Sequence, residues 1–230
     1  MEVITTHNTT DFDGLASLVA ARILYPGSVA VLPGRLNPNV RAFLSIHKDV
    51  FLFAQPSEVS HDDVSRLVVV DTNRWHRLDR FKALQNRQDV DVHVWDHHDN
   101  ISDMEASVRR EEKVGACTTL LVEELLAGRR EFSPIQSTLF LAGIYEDTGS
   151  LSFPQTTSRD VRAVAELLDR NADLTVLETF LRPSYGPKQK DLLFQMLKKA
   201  RRTKVDGHRI SICKTRVEGH IHALSLVVLM

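Results

Sequence analysis

Four stretches of the sequence bring together residue types that bind cations and move protons: His7-Asn8-Thr9-Thr10-Asp11-Phe12-Asp13-Gly14, Asp71-Thr72-Asn73, Asp96-His97-His98-Asp99, and Gly143-Ile144-Tyr145-Glu146-Asp147-Thr148-Gly149-Ser150. Carboxylate oxygens with a minority of imidazole nitrogens suit a divalent cation. The two cysteines, Cys117 and Cys213, lack CxxC spacing, which excludes a thiolate zinc site or disulfide scaffold and leaves both as small core residues. Each stretch also has a plainer reading. Asp11 and Asp13 stand two apart, so in an extended loop both point to one side and can hold separate cations; Asp13 equally suits a helix N-terminus, where a carboxylate meets free N–H groups. Asp71 alone reads as a strand-to-loop turn. Asp96 to Asp99 reads either as a polar surface loop or as imidazole ligands between orienting carboxylates, and Asp147 as part of a helix C-terminal turn.

The surrounding elements must bring these residues together. Val3 to Thr6 runs into His7, Leu67 to Val70 into Asp71, and Val90 to Trp95 into Asp96-His97-His98. Further β-branched runs at Val29 to Leu32 and Val50 to Phe53 alternate with helical patterns at Leu15 to Leu24, Val40 to Ile46 and Leu78 to Leu84, the βαβα rhythm of a parallel sheet. Leu67 to Val70 is apolar on both faces, as in a sheet covered on both sides. Ligands of open parallel sheets bind beyond the carboxyl ends of the strands, so the three endings converge on one edge. After residue 113 the pattern turns helical, over Ala116 to Leu126, Pro134 to Tyr145, Arg159 to Leu168, Leu174 to Phe180 and Lys188 to Arg202, with one more strand at Arg209 to Lys214. The expected fold class is α/β: a parallel β-sheet flanked by helices, followed by helices and the start of a second lobe. Arg182 to Pro187, with two prolines and a glycine, marks the joint between residues 1–182 and 183–230.

With 230 residues, 43% hydrophobic and 26% charged, the chain can bury one large core or two small ones and is not disordered. Its formal charge of −1 offers no global attraction to nucleic acid or an anionic membrane, so such affinity needs a local patch. Lys198-Lys199-Ala200-Arg201-Arg202 reads first as a solvated helix end, with nucleic-acid contact as the alternative. Trp75 and Trp95 are expected to pack. The apolar run Ala223 to Met230 is far short of the ~20 residues of a membrane span. The N-terminus lacks the basic and apolar regions of a secretory signal, so no membrane partner and a cytoplasmic location are expected. The apolar ending is unusual in itself, since chain termini tend to fray into polar sequence.

Taken jointly and in order, the four stretches resemble the DHH phosphoesterase superfamily, with Asp96-His97-His98 as the Asp-His-His. That resemblance implies that His7, Asp11 and Asp71 hold one divalent cation and that Asp13, Asp71, His97 and Asp147 hold another, with Asp71 bridging. Asp96 is then an orienting residue, His98 faces the substrate phosphate, and Asp71, Asp96 and His98 make up the catalytic set. The implied cofactors are two Mn²⁺, with Mg²⁺ or Co²⁺ as substitutes; two such ions supply an activated water for attack on phosphorus. Their four charges balance the four aspartates.

Manganese pyrophosphatases of the superfamily carry a proline before the first aspartate and a serine after the second, where this chain has Thr10 and Gly14. The context Asp11 to Ser17, with Arg22 to Gly27 and Asn39 to Leu44, is more similar to the N-terminal DHH part of long bacterial proteins. In these, DHH and DHHA1 regions precede CBS domains and a poly(A) polymerase or tRNA nucleotidyltransferase domain. Val217 to Leu224 resembles the opening of their DHHA1 region, so residues 183–230 would be a linker helix and the beginning of a truncated DHHA1-like lobe. Exopolyphosphatase-related proteins and oligoribonucleases share the core.

The implied activity is Mn-dependent, two-metal hydrolysis of phosphodiester bonds in short oligonucleotides or signalling nucleotides, with tRNA as a partner through a missing C-terminal region. One alternative is a non-hydrolytic nucleotide- or RNA-binding module serving an adjoining nucleotidyltransferase; another is an inorganic pyrophosphatase or exopolyphosphatase. The oligomeric state stays open. The lobe expected to supply substrate-binding arginines and a Gly-Gly-Gly-His motif is largely missing, and Arg35 and Arg41, candidates for phosphate contact, read first as solvated surface residues.

Overall fold

The computed structural model describes residues 1–47, 49–181 and 187–213. Five strands, β1 (Glu2–Thr5), β2 (Val29–Ala30), β3 (Arg66–Val70), β4 (Asp91–Asp96) and β5 (Val108–Glu111), form one sheet in the order β2-β1-β3-β4-β5. Every pairing is parallel, so all five carboxyl ends lie along one edge. The chain passes from β1 to β2 on one side and later returns to β3 on the other side of β1. That reversal opens a crevice between β1 and β3, the place where such sheets bind ligands. The registers Thr5↔Val69 and Val70↔Trp95, continued past the strand ends, bring His7, Asp71 and Asp96 level with one another.

Both faces of the sheet are covered, which explains the unbroken apolar run of β3: Leu67, Val68, Val69 and Val70 are all 0% exposed. On one face Ile4, Val68, Val70 and Trp95 meet α1 (Phe12–Leu24), α3 (Cys117–Ala127) and α4 (Pro134–Thr148). On the other, Val3, Leu67, Val69 and Val94 pack with Trp75, Leu78, Phe81 and Leu84. α1 and α4 are buried nearly all round, so neither shows an amphipathic stripe. They approach closely at Gly143, where a Cβ would lie 2.6 Å from Thr118 Oγ1 and 2.8 Å from Ala16 Cβ. Gly143→Ala is therefore expected to destabilise the chain by about 1–3 kcal/mol through overpacking, measurable by urea unfolding. α2 (Pro38–Ile46), α5 (Ser158–Asp169) and α6 (Leu174–Leu181) complete this unit, Met1–Arg182.

The second unit, Pro183–Met230, contains α7 (Pro187–Lys199) and the antiparallel hairpin β6 (Arg201–Val205) and β7 (His208–Ile212). Asp206 and Gly207 turn that hairpin at φ 49° and 85°, the backbone that an Asp-Gly pair favours.

Four elements differ from the sequence reading. Val50 to Phe53 is not a strand; Phe51 turns into the core, and only Ala54 bridges to Val31, because edge strand β2 is two residues long. The segment at Leu78 to Leu84 is 3₁₀ over Asp79–Asn86. β5 carries three charged residues in four, which suits an exposed sheet edge but conceals the strand from hydropathy. The helix expected through Arg202 stops at Lys199, since Arg201 and Arg202 begin β6. The joint residues 182–186, the segment Val217 to Leu224 and the apolar ending lie outside the described residues. Among the described residues no helix is long and apolar enough to cross a membrane.

Candidate metal centre

The loop after β1 is fixed before its side chains are. Thr9 and Thr10 both donate their N–H groups to the carbonyl of Arg35, with Thr9 held at φ 63°, unusual for a β-branched residue. His7, 2% exposed, donates Nδ1–H to the carbonyl of Asn8 at 2.9 Å. That bond directs Nε2 to Asp71 Oδ2 at 3.0 Å and Asp11 Oδ1 at 3.5 Å. His97 repeats the device: Nδ1 donates to the carbonyl of Val114 at 3.2 Å. Its Nε2 lies 3.2 Å from Asp147 Oδ2, 3.5 Å from Asp71 Oδ1 and 3.6 Å from Asp13 Oδ2, hydrogen-bonded to none of them. A carbonyl partner on one ring nitrogen leaves the other as the ligand atom, the arrangement of metal-binding histidines.

Asp13 combines the two expectations and departs from each in one detail. It is not in an extended loop but in the first turn of α1, and it caps a different helix. Its Oδ2 accepts the N–H of Cys117 at 2.7 Å and its Oδ1 that of Thr118 at 2.8 Å, at the start of α3, where N-cap Ala116 has no side chain to offer. The cap of α1 is Asp11, which accepts from Gly14 N–H at 3.0 Å. Asp13 is 0% exposed, so its removal strands two buried N–H groups. Asp13→Ala is expected to cost about 2–5 kcal/mol in urea unfolding with chelator present, and a loss below ~1 kcal/mol would contradict the capping role.

Asp71 sits at the first residue past β3 at φ 59°, a left-handed backbone that aspartate tolerates. Asp96, also 0% exposed, accepts at Oδ1 from the N–H of His97 at 2.9 Å and from His98 Nδ1 at 2.7 Å. His98 is thereby turned with its other nitrogen away from Asp96, at 37% exposure. Asp147 belongs to the last turn of α4, before the left-handed Gly149 cap.

The residues thus fall into two main sets, His7–Asp11–Asp71 and Asp13–Asp71–His97–Asp147, each with ligand atoms within 4.8 Å of one another, and Asp71 common to both. A divalent cation fits each set: the donors are carboxylate oxygens and imidazole nitrogens, and Asp71 Oδ1 and His97 Nε2 are buried without hydrogen-bond partners. Asp71, His97 and His98 form a further overlapping group.

Charge compression shows in the titration of the cluster. Burial disfavours a charged His7, but Asp11 and Asp71 outweigh it and raise its pKa from 6.5 to about 10. For His97 burial is again opposed, by Asp147, Asp71 and Asp13, which raise it to about 12. Burial, with the charges of Asp71 and Asp147, holds Asp13 well above the usual carboxylate range. Burial likewise raises Asp147, against the pull of His97. Asp71 goes the other way, since His7 and His97 overcome its burial. Burial pushes the Cys117 thiol up as well, leaving it an inert core residue.

Three partners of the site were not singled out in the sequence. Glu146 accepts hydrogen bonds from the N–H of Phe12 and from Asn39 Nδ2, and burial and Asp11 raise its pKa from 4.5 to about 7. Asp160, 0% exposed, accepts from Gly115 N–H, Thr119 Oγ1 and Thr157, tying α5 to the loop that carries the Val114 carbonyl. The N–H groups of Cys117 and Thr118 bind Asp13 from 104 and 105 residues away. Only Glu146, beside Asp147, lay within a motif. Arg35 and Arg41 are both exposed, and Arg35 serves the site through its backbone. Gly14 is explained by crowding: a Cβ there would lie 2.8 Å from Thr6 Oγ1 and 3.0 Å from His7 Nε2.

Residues 2–144 match the family described as "DHH family, N-terminal domain". The chain belongs to the DHH family. It is 35% identical to an A-adding tRNA nucleotidyltransferase of Geobacter sulfurreducens over 100% of this chain and 26% of that protein. It is 29% identical to the bifunctional oligoribonuclease and PAP phosphatase NrnA of Mycoplasma genitalium, over 50% of this chain and 36% of that one. This DHH chain therefore spans about a quarter of the length of the first relative and about a third of the second. In three dimensions it is similar to an exopolyphosphatase-related protein from Bacteroides fragilis, with a TM-score of 0.68 at 15% identity over 86% of this chain and 61% of that one. That similarity is one of fold.

Proposed function

We propose that this DHH chain is a phosphoesterase lobe that uses two divalent cations, Mn²⁺ by preference, to hydrolyse phosphodiester bonds in short oligonucleotides or signalling nucleotides. The observation that carries this reading is the sharing of one buried carboxylate, Asp71, by two ligand sets at the switch point of the sheet. His7, Asp11 and Asp71 hold one cation; Asp13, Asp71, His97 and Asp147 hold the other. Bound there, the pair supplies an activated water and neutralises charge on the phosphoryl oxygens. The chain's own residues do the rest. His7 and His97 present Nε2 because backbone carbonyls hold Nδ1. Asp96 fixes His98 by Nδ1, so its Nε2 faces outward, where the protonated ring would donate to a phosphate oxygen or to the leaving oxygen.

The name of the Mycoplasma relative supports oligonucleotide chemistry. The name and length of the Geobacter relative support a lobe within a longer protein that acts on tRNA. On the resemblance carried by Val217 to Leu224, residues 183–230 would open a DHHA1-like lobe. The name of the Geobacter relative also favours a second reading, a non-hydrolytic nucleotide- or RNA-binding module serving nucleotide addition. Assays of the Mn²⁺-loaded and chelated chain against a dinucleotide, short RNA and pyrophosphate separate these readings. The hydrolytic one expects Mn²⁺-dependent turnover of the dinucleotide, abolished by chelator and exceeding that of pyrophosphate. Tight nucleotide binding without turnover would favour the module.

A further inference from the structure

Glu146 and Asp147 are neighbours in the last turn of α4, yet their side chains serve different places. Asp147 reaches His97, whereas Glu146 reaches the start of α1, where Oε2 accepts the N–H of Phe12 at 2.5 Å. Its other oxygen accepts from Asn39 Nδ2 at 2.8 Å, and Asn39 is itself fixed because its Oδ1 accepts the N–H of Val40 at 3.0 Å. One carboxylate thus ties the ends of α4, α1 and α2 together beside Asp11.

The consequence concerns the free donors of α1. An N-cap aspartate normally spends its carboxylate on the N–H groups of its own first turn. Here Asp11 serves Gly14, through Oδ1, while Glu146 takes the N–H of Phe12, which an N-cap side chain does not reach. The second oxygen of Asp11 has no hydrogen-bond partner among the described residues and remains available to a ligand. The other set is built differently: α3 holds Asp13, and the Val114 carbonyl holds His97.

We propose that Glu146, clamped by Asn39, is a positioning residue for the His7–Asp11–Asp71 half of the centre, fixing the start of α1 so that Asp11 presents a carboxylate oxygen to a divalent cation. This inference rests on the two-cation reading of the site. It is tested by calorimetric titration of the full chain with Mn²⁺ alone, comparing wild type, Glu146→Ala, and Glu146→Gln combined with Asn39→Asp. In the double substitution donor and acceptor are exchanged, the new amide accepting from Phe12 and donating to the new carboxylate. The alanine substitution is expected to weaken one of two binding steps by about 10–100-fold and to leave the other within about threefold, and the double substitution to recover most of the loss. Equal weakening of both steps, no change in either, or a double variant as weak as the alanine one would each overturn the inference while leaving the two-cation reading in place. A wild-type chain without two binding steps would overturn both.

Discussion

Asp71→Asn is expected to lower turnover by about 10³-fold and to remove one of the two Mn²⁺ binding steps, with the fold retained. Asp71 is shared by both ligand sets, one oxygen facing His7 and the other His97, so no neighbouring carboxylate can replace it. Asparagine tolerates the left-handed backbone at φ 59° and keeps the side-chain volume, so the substitution isolates the lost charge from a lost fold. A circular-dichroism melt alongside dinucleotide hydrolysis separates the two effects. Turnover within tenfold of wild type, at an unchanged melting temperature, would remove Asp71 from the chemistry.

The second large effect is on pH dependence. His7 and His97 have folded-state pKa values raised from 6.5 to about 10 and about 12. A group raised on folding contributes stability that is complete below its unfolded value and fades as pH climbs through its folded value. Asp13 and Asp147 are also raised, so their contributions fade in the same direction as pH climbs; Asp71 is lowered, so its contribution is complete above the carboxylate range. Between pH 6.5 and 10 the contributions of His7, His97 and Glu146 all fade as pH climbs, while that of Asp71 is constant. The chelated chain is therefore expected to melt at progressively lower temperature across that window, and the Mn²⁺-loaded chain much less so. Each cation must displace the proton of the histidine in its own set, so its affinity should rise with pH by up to about tenfold per unit. Titrations in buffers of different ionisation enthalpy read those protons directly. An affinity flat from pH 7 to 8, with no proton release, would contradict the description of the cluster.

The half of the centre that rides on strand ends was legible in the sequence. His7, Asp71 and Asp96 each close a β-branched run, and parallel strands need no knowledge of register to place their ends on one edge. Most of what escaped in the site depends on contacts between helices that no local pattern encodes. Asp13 was read as a ligand or as a carboxylate serving a helix N-terminus, but the helix it caps is α3, more than a hundred residues on. Asp160 looks in sequence like an ordinary acidic residue in the first turn of a helix, a role it does fill, while also binding Gly115 and Thr119. β5 was concealed because an edge strand can be charged along its length. The Asp206-Gly207 pair, by contrast, was a local hairpin signal within the sequence, and it outweighed the helical charge pattern that ran to Arg202.

The central claim, two cations sharing one buried carboxylate, is tested most directly by anomalous diffraction at the manganese edge from crystals grown with Mn²⁺. Two peaks about 3.5–4 Å apart are expected, one beside His7 and Asp11, one beside Asp13, His97 and Asp147, with Asp71 between them. A single peak, or none within reach of Asp71, would contradict it.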